Sequence, residues 1–207
     1  MSTSARPYHH GDLAQALIVV TRTLLEEGGP AAVSLREAAR RVGVSPTATY
    51  RHFKDKDALL AATAADGFAE FGRRLADAAA ESPDPLAAMG LAYVRFALEQ
   101  RGLFRLMFGP QLMRRSSYPA LEHAASAAFA RLRAGVEGQA ATGRDPRQAA
   151  ISAWALVHGL AHLFLDGLLP EAEAEALTRA ITSRPTTAPQ PDSRPPRPAP
   201  RRDNPAG

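Results

Sequence analysis

Several residue types that would point to particular functions are absent or scarce. None of the 207 residues is cysteine, which excludes disulfides and thiolate chemistry and fits a reducing compartment. Lysine occurs only at Lys54 and Lys56, and only 6% of the residues are aromatic. No uninterrupted apolar run reaches the roughly 18 residues of a membrane-spanning helix, and the N-terminus lacks a secretory signal pattern. We therefore expect a cytoplasmic protein that does not enter a membrane.

Motifs of common enzyme classes are also missing. The sequence contains no phosphate-binding loop, no Gly-x-Ser-x-Gly turn and no dinucleotide-binding fingerprint. We therefore predict no catalytic residue and no cofactor, and we expect that the protein is not an enzyme.

The regular part of the chain is expected to be helical throughout. Strand signals are nearly absent, because there is no sustained alternation of apolar and polar residues and no hairpin turn between β-branched runs. Apolar residues recur at helical spacing instead, as Leu13, Leu17, Val20 and Leu24 do. An all-α fold is predicted. The expected helices cover residues 12–27, 35–42, 46–52, 55–82, 85–102, 103–108, 119–137, 146–166 and 170–182.

One stretch, residues 34–60, combines two short helices with a tight turn. Its sequence is SLREAARRVGVSPTATYRHFKDKDALL. Ser34 and Glu37 form the pattern of a capping box, and Gly43 suits the left-handed conformation that ends a helix. Ser45 followed by Pro46 predicts a second helix start. Two short helices joined in this way are typical of a helix-turn-helix element, whose second helix enters the DNA major groove.

The side chains of this stretch suit DNA binding. Small residues at the start of the second helix let the backbone approach the bases, and longer polar residues can reach phosphates. From Val33 to Lys56 there are six Arg or Lys and two acidic residues. The alternative is a solvated basic surface on an ordinary helical hairpin. The predicted DNA-binding residues are Ser45, Thr47, Ala48, Thr49, Tyr50, His52, Lys54, Lys56 and Arg36.

The first third of the chain resembles TetR-type transcriptional regulators. The similarity is carried by VGVSPTATYRHFKDKDALLAA and by the preceding YHHGDLAQALIVVTRTLLEEGG. It implies a three-helix DNA-binding domain, residues 1–56, on a larger helical domain for effector binding and dimerisation, residues 57–183. It also places Thr47, Ala48, Tyr50, His52 and Lys56 at DNA contacts. The sequence departs from the family at Thr49, where an apolar residue is more common, so Thr49 either faces the groove or fills a small packing site.

The stretch WALVHGLAHLFLDG resembles the Trp-His-Gly pattern of one TetR-type C-terminal domain, and YVRFALEQRGLFRLMFG resembles its earlier half. The resemblance implies a homodimer formed through the last two helices, and a palindromic double-stranded DNA operator would match its two-fold axis. The predicted helix over residues 146–166 is apolar nearly all round. Such a helix must be covered on both sides, which agrees with a dimer interface on one of them.

Aromatic and methionine residues of the second domain are candidates for an effector pocket, because such side chains can line an adaptable apolar cavity. The alternative is that they are ordinary core residues. His158 and His162 lie one turn apart, but no third ligand is evident, so no metal site is predicted. The candidate effector-binding residues are Phe96, Phe104, Met107, Phe108, Met113, Trp154 and His158.

Residues 184–207 are rich in proline and arginine and contain no large apolar residue. This segment is predicted to be a disordered tail that is either inert or touches DNA phosphates nonspecifically. Taken together, the sequence predicts a repressor that a small-molecule effector releases from its operator. The alternative is an activator, or a DNA-binding protein of the same fold that needs no ligand.

Overall fold

The computed structural model describes residues 10–112, 115–137 and 145–183, and all regular structure in these ranges is helical. The all-α prediction is therefore confirmed for this part of the chain. The predicted disordered tail lies outside it. The helices are α1 His10–Ala32, α2 Leu35–Val42, α3 Pro46–Thr49, α4 Lys56–Ala80, α5 Pro85–Glu99, α6 Arg101–Phe108, α7 Pro119–Glu137, α8 Pro146–Leu165 and α9 Ala174–Thr182.

The predicted helix starts are confirmed by their capping bonds. Ser34 Oγ accepts a 3.0 Å hydrogen bond from the backbone N–H of Glu37, and Asp55 Oδ1 accepts one of 2.7 Å from Ala58. Ser45 Oγ accepts from the N–H of Ala48 in the same way. The capping box is only half formed, however. The Glu37 carboxylate accepts hydrogen bonds from arginine side chains and not from the backbone N–H of Ser34.

Several helix boundaries differ from the predictions, including the start of α9, which lies at Ala174 and not at residue 170. The regular part of α3 ends at Thr49, and residues 50–52 continue as a turn in which the N–H groups of His52 and Phe53 both donate to the Thr49 carbonyl. The stretch 85–108 breaks at Gln100 into α5 and α6, slightly earlier than expected. The predicted end of the first helix is visible as a kink inside α1, where Gly29 has a φ of 65°.

Helix α4 lies at the centre of the molecule and packs against α1, α5, α6 and α7. Its buried side includes Leu59, Phe68, Phe71 and Leu75, which share one continuous hydrophobic core with residues from α1 to α9. Because α4 begins just after α3 and ends among the later helices, it physically joins the two parts of the fold. A rigid-body movement of α4 would therefore displace the contacts near α3 as well as those with the later helices.

The start of α6 lies directly on α1. The carboxylate of Glu26 accepts hydrogen bonds from the backbone N–H of Gly102, at 2.9 and 3.0 Å, and from that of Leu103 at 3.1 Å. A Cβ atom added at Gly102 would lie 2.2 Å from the carbonyl oxygen of Leu25. This approach is possible only with glycine, since the atom in the way belongs to the backbone and cannot rotate aside.

We expect Gly102→Ala to lower the free energy of unfolding by about 3 kcal/mol, because α1 and α6 must separate to admit the methyl group. Gly72→Ala is the matched control. A Cβ atom there would meet the flexible side chain of Arg131 at 3.2 Å, and alanine is the better helix former, so its effect is expected to lie between zero and about 1 kcal/mol of stabilisation. Chemical denaturation of both variants measures the difference. Equal midpoints would contradict the close packing of α6 on α1.

Candidate nucleic-acid interface and effector cavity

The α2–α3 pair is held rigidly on the rest of the molecule. Gly43, with a φ of 80°, turns the chain sharply after α2, and Phe53 anchors the end of the following turn in the core. Thr49 is fully buried, and its hydroxyl donates a 2.7 Å hydrogen bond to the Pro46 carbonyl. A side chain without exposed surface has nothing to offer a DNA groove. Thr49 therefore fills a packing site, and the prediction that it contacts DNA is wrong.

The other predicted contacts of this region lie at the surface. Ser45, Thr47 and His52 are exposed, Ala48 is half-buried, and Tyr50 keeps 55% of its surface accessible. An exposed tyrosine of this kind, on a helix held by a buried neighbour, is placed to contact a ligand outside the protein. The Ser45 hydroxyl accepts from the N–H of Ala48, and its own proton is available to a DNA oxygen.

Ion pairs divide the basic residues of this region into two groups. Arg41 binds Glu27 through two hydrogen bonds of 2.6 and 2.8 Å, and both Arg40 and Arg41 bind Glu37. These bonds, first from Arg40 and then from Arg41, lower the pKa of Glu37 to about 2. The Arg41–Glu27 pair fixes α2 on α1, and together the pairs leave little net charge there for DNA. Among the described residues, Arg36, Arg51 and Lys56 form no ion pair.

Lys54 and Lys56 flank the start of α4. Lys54 is exposed, and its Nζ lies 3.9 Å from Asp55 and 6.0 Å from the ring centroid of Tyr118. Lys56 is the first residue of α4, where the positive end of the helix dipole disfavours a cation. A lysine at this position costs local stability, and a bound phosphate would offset that cost.

Arg51 is a functional candidate that the sequence analysis did not single out. It is exposed, unpaired within the described part of the chain, and adjacent to Tyr50. Its position in the basic run after α3 could have identified it in the sequence. The ion pair of Arg41 with Glu27 could not be predicted from the sequence, because it depends on the angle at which α1 and α2 cross.

A cavity of about 540 Å³ opens between α4, α5, α7, α8 and the end of α6. Its size falls in the range of small-molecule sites. Exposed polar side chains lie along its α7 side, and aromatic rings line the interior. The lining residues are Phe68, Phe71, Leu75, Tyr93, Phe108, Glu122, Ala125, Ser126, Ala128, Phe129, Ala130, Leu132, Arg133 and Trp154.

The predicted effector residues are distributed unevenly around this cavity. Phe108 and Trp154 line it. Phe96, Phe104 and Met107 are fully buried in the core and do not line it, and His158 lies behind Tyr93. Met113 is outside the described residues. The sequence analysis missed Phe68, Phe71 and Phe129, whose helical spacing looks the same as that of core residues, and Tyr93.

A hydrogen-bonded triad forms part of the cavity wall. Trp154 Nε1 donates to Tyr93 Oη at 3.1 Å, and Tyr93 Oη lies 2.8 Å from His158 Nδ1. Tyr93 Oη accepts from tryptophan, and with His158 in the Nε2–H tautomer it donates its own proton to Nδ1. Burial raises the pKa of Tyr93, while burial and then the nearby His162 lower that of His158. The triad is therefore neutral at neutral pH.

His158 and His162 have ring centroids 4.7 Å apart. Nδ1 of His158 is already bonded to Tyr93. Within the described residues, no group of three or more His, Asp or Glu side chains is arranged to hold a metal ion.

Helix α8 has one buried side and one uncovered apolar side. Val157, Ala161 and Phe164 pack into the core, whereas Ile151 and Leu156 are exposed. By length and composition alone, Arg147–Leu165 is apolar enough to cross a membrane, with a mean hydropathy of 1.3, and 33% of this stretch is buried. The core helix of a soluble protein meets the same criterion, and α8 is packed as one on its buried side.

Comparisons with known proteins agree with the geometry. Residues 17–63 match the family model of bacterial regulatory proteins of the tetR family, and residues 86–184 match that of the tetracyclin repressor-like C-terminal domain. A protein of unknown function from Rhodococcus sp. RHA1 is similar in structure, with 34% identity, a TM-score of 0.76, and coverage of 86% of this chain and 95% of that one. No curated protein matches the chain.

Two further solved structures share the fold at lower identity. A TetR family transcription regulator from Marinobacter aquaeolei VT8 is 20% identical, with a TM-score of 0.63 and coverage of 82% of this chain and 93% of that one. The fatty acid degradation regulator FadR from Bacillus halodurans is 12% identical, with a TM-score of 0.64 and coverage of 86% and 95%.

A rigid helix-turn-helix with an exposed second helix, joined to a larger helical domain, defines a DNA-binding regulator of transcription. The chain belongs to the TetR family. The resemblance noted in the sequence is thus confirmed over most of the chain.

We expect Lys56→Gln to weaken DNA binding roughly tenfold and to reduce the slope of log K against log salt by about 1, because one phosphate contact is lost. Arg40→Gln is the matched control, since the charge of Arg40 is already compensated by Glu37. Fluorescence anisotropy with a duplex selected from random DNA, at several salt concentrations, measures both. If the two variants had the same slope, the division of the cations into paired and DNA-binding groups would be wrong.

Proposed function

We propose that the protein is a transcriptional repressor that acts in the cytoplasm and leaves a palindromic operator when a small molecule enters the 540 Å³ cavity. The observation that carries this proposal is the position of α4. This helix starts with Lys56, beside the DNA-reading turn, and its later residues Phe68, Phe71 and Leu75 line the cavity. A ligand that pushes on these rings acts on the same rigid element that positions the cation at the DNA.

A homodimer through α8 and α9 fits the exposed surface. The uncovered side of α8 carries Ile151, Leu156 and Leu163 around the smaller Ala155 and Gly159, and Ile181 of α9 is also exposed. No charged residue interrupts this side of α8 between Gln148 and Asp166. A second copy that packs its own α8 and α9 here would cover the face by two-fold symmetry. The two reading helices would then match half-sites about 34 to 36 Å apart.

A second connection links the cavity to the reading element. Phe108 at the end of α6 lines the cavity, and the beginning of the same helix is held on α1 by Glu26. The next residue, Glu27, holds α2 through Arg41. A shift of α6 is therefore passed to α1 and α2 by polar contacts, in parallel with the path through α4.

Release requires that the ligand bind better to a conformation that fits the operator poorly. A coupling free energy of about 1–3 kcal/mol changes operator affinity by roughly 5- to 150-fold, and the operator weakens ligand binding by the same factor. Comparing transcription from the operator in wild-type and deletion strains tests whether the protein represses or activates transcription. Higher transcription in the deletion strain is expected, and lower transcription would instead indicate an activator.

We expect Leu156→Glu to convert the dimer into a monomer, because a symmetric interface would then bury two unpaired carboxylates. Operator affinity should fall by at least a hundredfold, since a single reading element binds only one half-site. Val19→Glu introduces the same charge at another exposed apolar residue and should stay dimeric. Sedimentation velocity measures the oligomeric state. A dimeric Leu156→Glu variant would rule out this interface.

We expect Glu26→Ala to bind operator and ligand but to lose part of the coupling between them, because the start of α6 is no longer held on α1 while the path through α4 remains. The coupling is measured as the ratio of operator dissociation constants with and without saturating ligand. Glu99→Ala removes a carboxylate whose arginine partner belongs to α4, away from the α1–α6 contact, and is the control. An unchanged ratio in Glu26→Ala would leave α4 as the only path.

A further inference from the structure

We propose that the cavity binds elongated aromatic molecules that carry a single cationic end, with the aromatic body inside and the cation at Glu122. This inference rests on the proposed function, which makes the cavity the effector site. It adds the chemical class of the effector.

The polar atoms of the cavity interior are already bonded to one another. The Trp154 N–H donates to Tyr93 Oη, which also lies within hydrogen-bond distance of His158 Nδ1. The other interior lining residues are hydrocarbon side chains such as Phe71 and Leu75. A polar group placed here would lose its bonds to water without replacement, which costs about 1–3 kcal/mol or more. The buried part of the ligand is therefore apolar.

The walls favour flat rings. Phe71 meets Tyr93 edge-on with centroids 4.9 Å apart, Phe68 meets Phe108 edge-on at 5.3 Å, and Phe129 meets Trp154 edge-on at 5.7 Å. Rings interlocked in this way present both faces and edges to the cavity. They can stack on aromatic ligands, and their faces attract positive charge.

The charged groups of the site and the polar groups at its edge all come from α7. Glu122, Ser126 and Arg133 are exposed at the cavity's edge and lie along one side of this helix. At about 1.5 Å per residue, Glu122 and Arg133 are roughly 16 Å apart, which exceeds the Debye length of about 8 Å at physiological salt. The two charges therefore act separately on a ligand.

Glu122 is the charge that is available to a ligand. Arg133 already interacts with another group. The carboxylate of Glu122 has neither a hydrogen bond nor an ion pair with any other described residue. A free carboxylate beside aromatic faces attracts an ammonium or amidinium group by charge and by the ring quadrupoles. Ser126, one turn further along α7, can accept another hydrogen bond from the same group.

The test uses the full-length protein and a matched set of biphenyls: 4-phenylbenzylamine, 4-phenylbenzyl alcohol, biphenyl-4-carboxylate and 4,4'-bis(aminomethyl)biphenyl. Trp154 is the only tryptophan and lines the cavity, so quenching of its fluorescence reports binding at this site directly. We expect the monoamine to bind about tenfold more tightly than the alcohol and the carboxylate. The diamine should bind more weakly than the monoamine, because its second ammonium would enter the apolar interior.

Two variants locate the cation. Glu122→Gln should remove the preference for the amine over the alcohol. Asp77→Asn, which neutralises an exposed carboxylate of α4 outside the cavity, should keep it. Equal affinities for amine, alcohol and carboxylate, tighter binding of the carboxylate, or no quenching by any of the four compounds would overturn the proposal.

Release of DNA is measured separately, by anisotropy of a labelled operator. If the amine binds with the expected preference and the operator stays bound, the ligand class is supported and the proposed release mechanism fails. If a compound without a cation releases the operator and competes at Trp154, the release mechanism is supported and the ligand class is wrong.

Discussion

The burial of one side of α4 is the constraint on which the rest of the structure depends. Leu59 and Phe71 belong to the same hydrophobic core, although the first lies beside the DNA-reading element and the second at the cavity. Each fully buried side chain of this kind contributes about 1.5–3 kcal/mol by leaving water. Tilting α4 at one end therefore disturbs packing at the other, because the core is close-packed and cannot deform smoothly. The coupling proposed between the two sites would follow from this packing, in parallel with the polar contacts of Glu26.

Local signals in the sequence were enough to predict the helices. Ser34, Ser45 and Asp55 cap helices where the caps were expected, and Gly43 turns the chain after α2 as a left-handed residue. Such features depend on a few neighbouring residues, so they can be read from the sequence. The end of α3 could not, because the regular helix stops at Thr49 when that side chain turns inward. A threonine at the surface and one in a packing site look the same in a sequence.

The cavity illustrates what a sequence does not contain. Phe96 and Phe108 are twelve residues apart, and both are apolar on helices, yet only Phe108 faces the empty space. Whether a ring lines a cavity or fills the core is decided by the angles at which α4, α5, α7 and α8 cross. The same holds for the Trp154, Tyr93 and His158 triad, whose members come from two helices more than 60 residues apart along the chain. The sequence analysis named Trp154 and His158 as candidate effector-binding residues, but it did not name Tyr93.

The basic residues of the N-terminal region fall into two groups, those that form ion pairs and those that do not. The composition alone does not distinguish them. Six basic residues against two acidic ones suggested a uniformly positive surface. In the structure, Arg41 forms ion pairs with Glu37 and with Glu27, which precedes the stretch 33–56. The bond from Arg41 to Glu27 joins α1 to α2, so it helps to set the orientation of the reading element. The unpaired cations near α3 and the start of α4 are the ones that we propose to bind phosphates. If holding the element and binding DNA use different cations, DNA can bind and leave without breaking the contacts that orient α2.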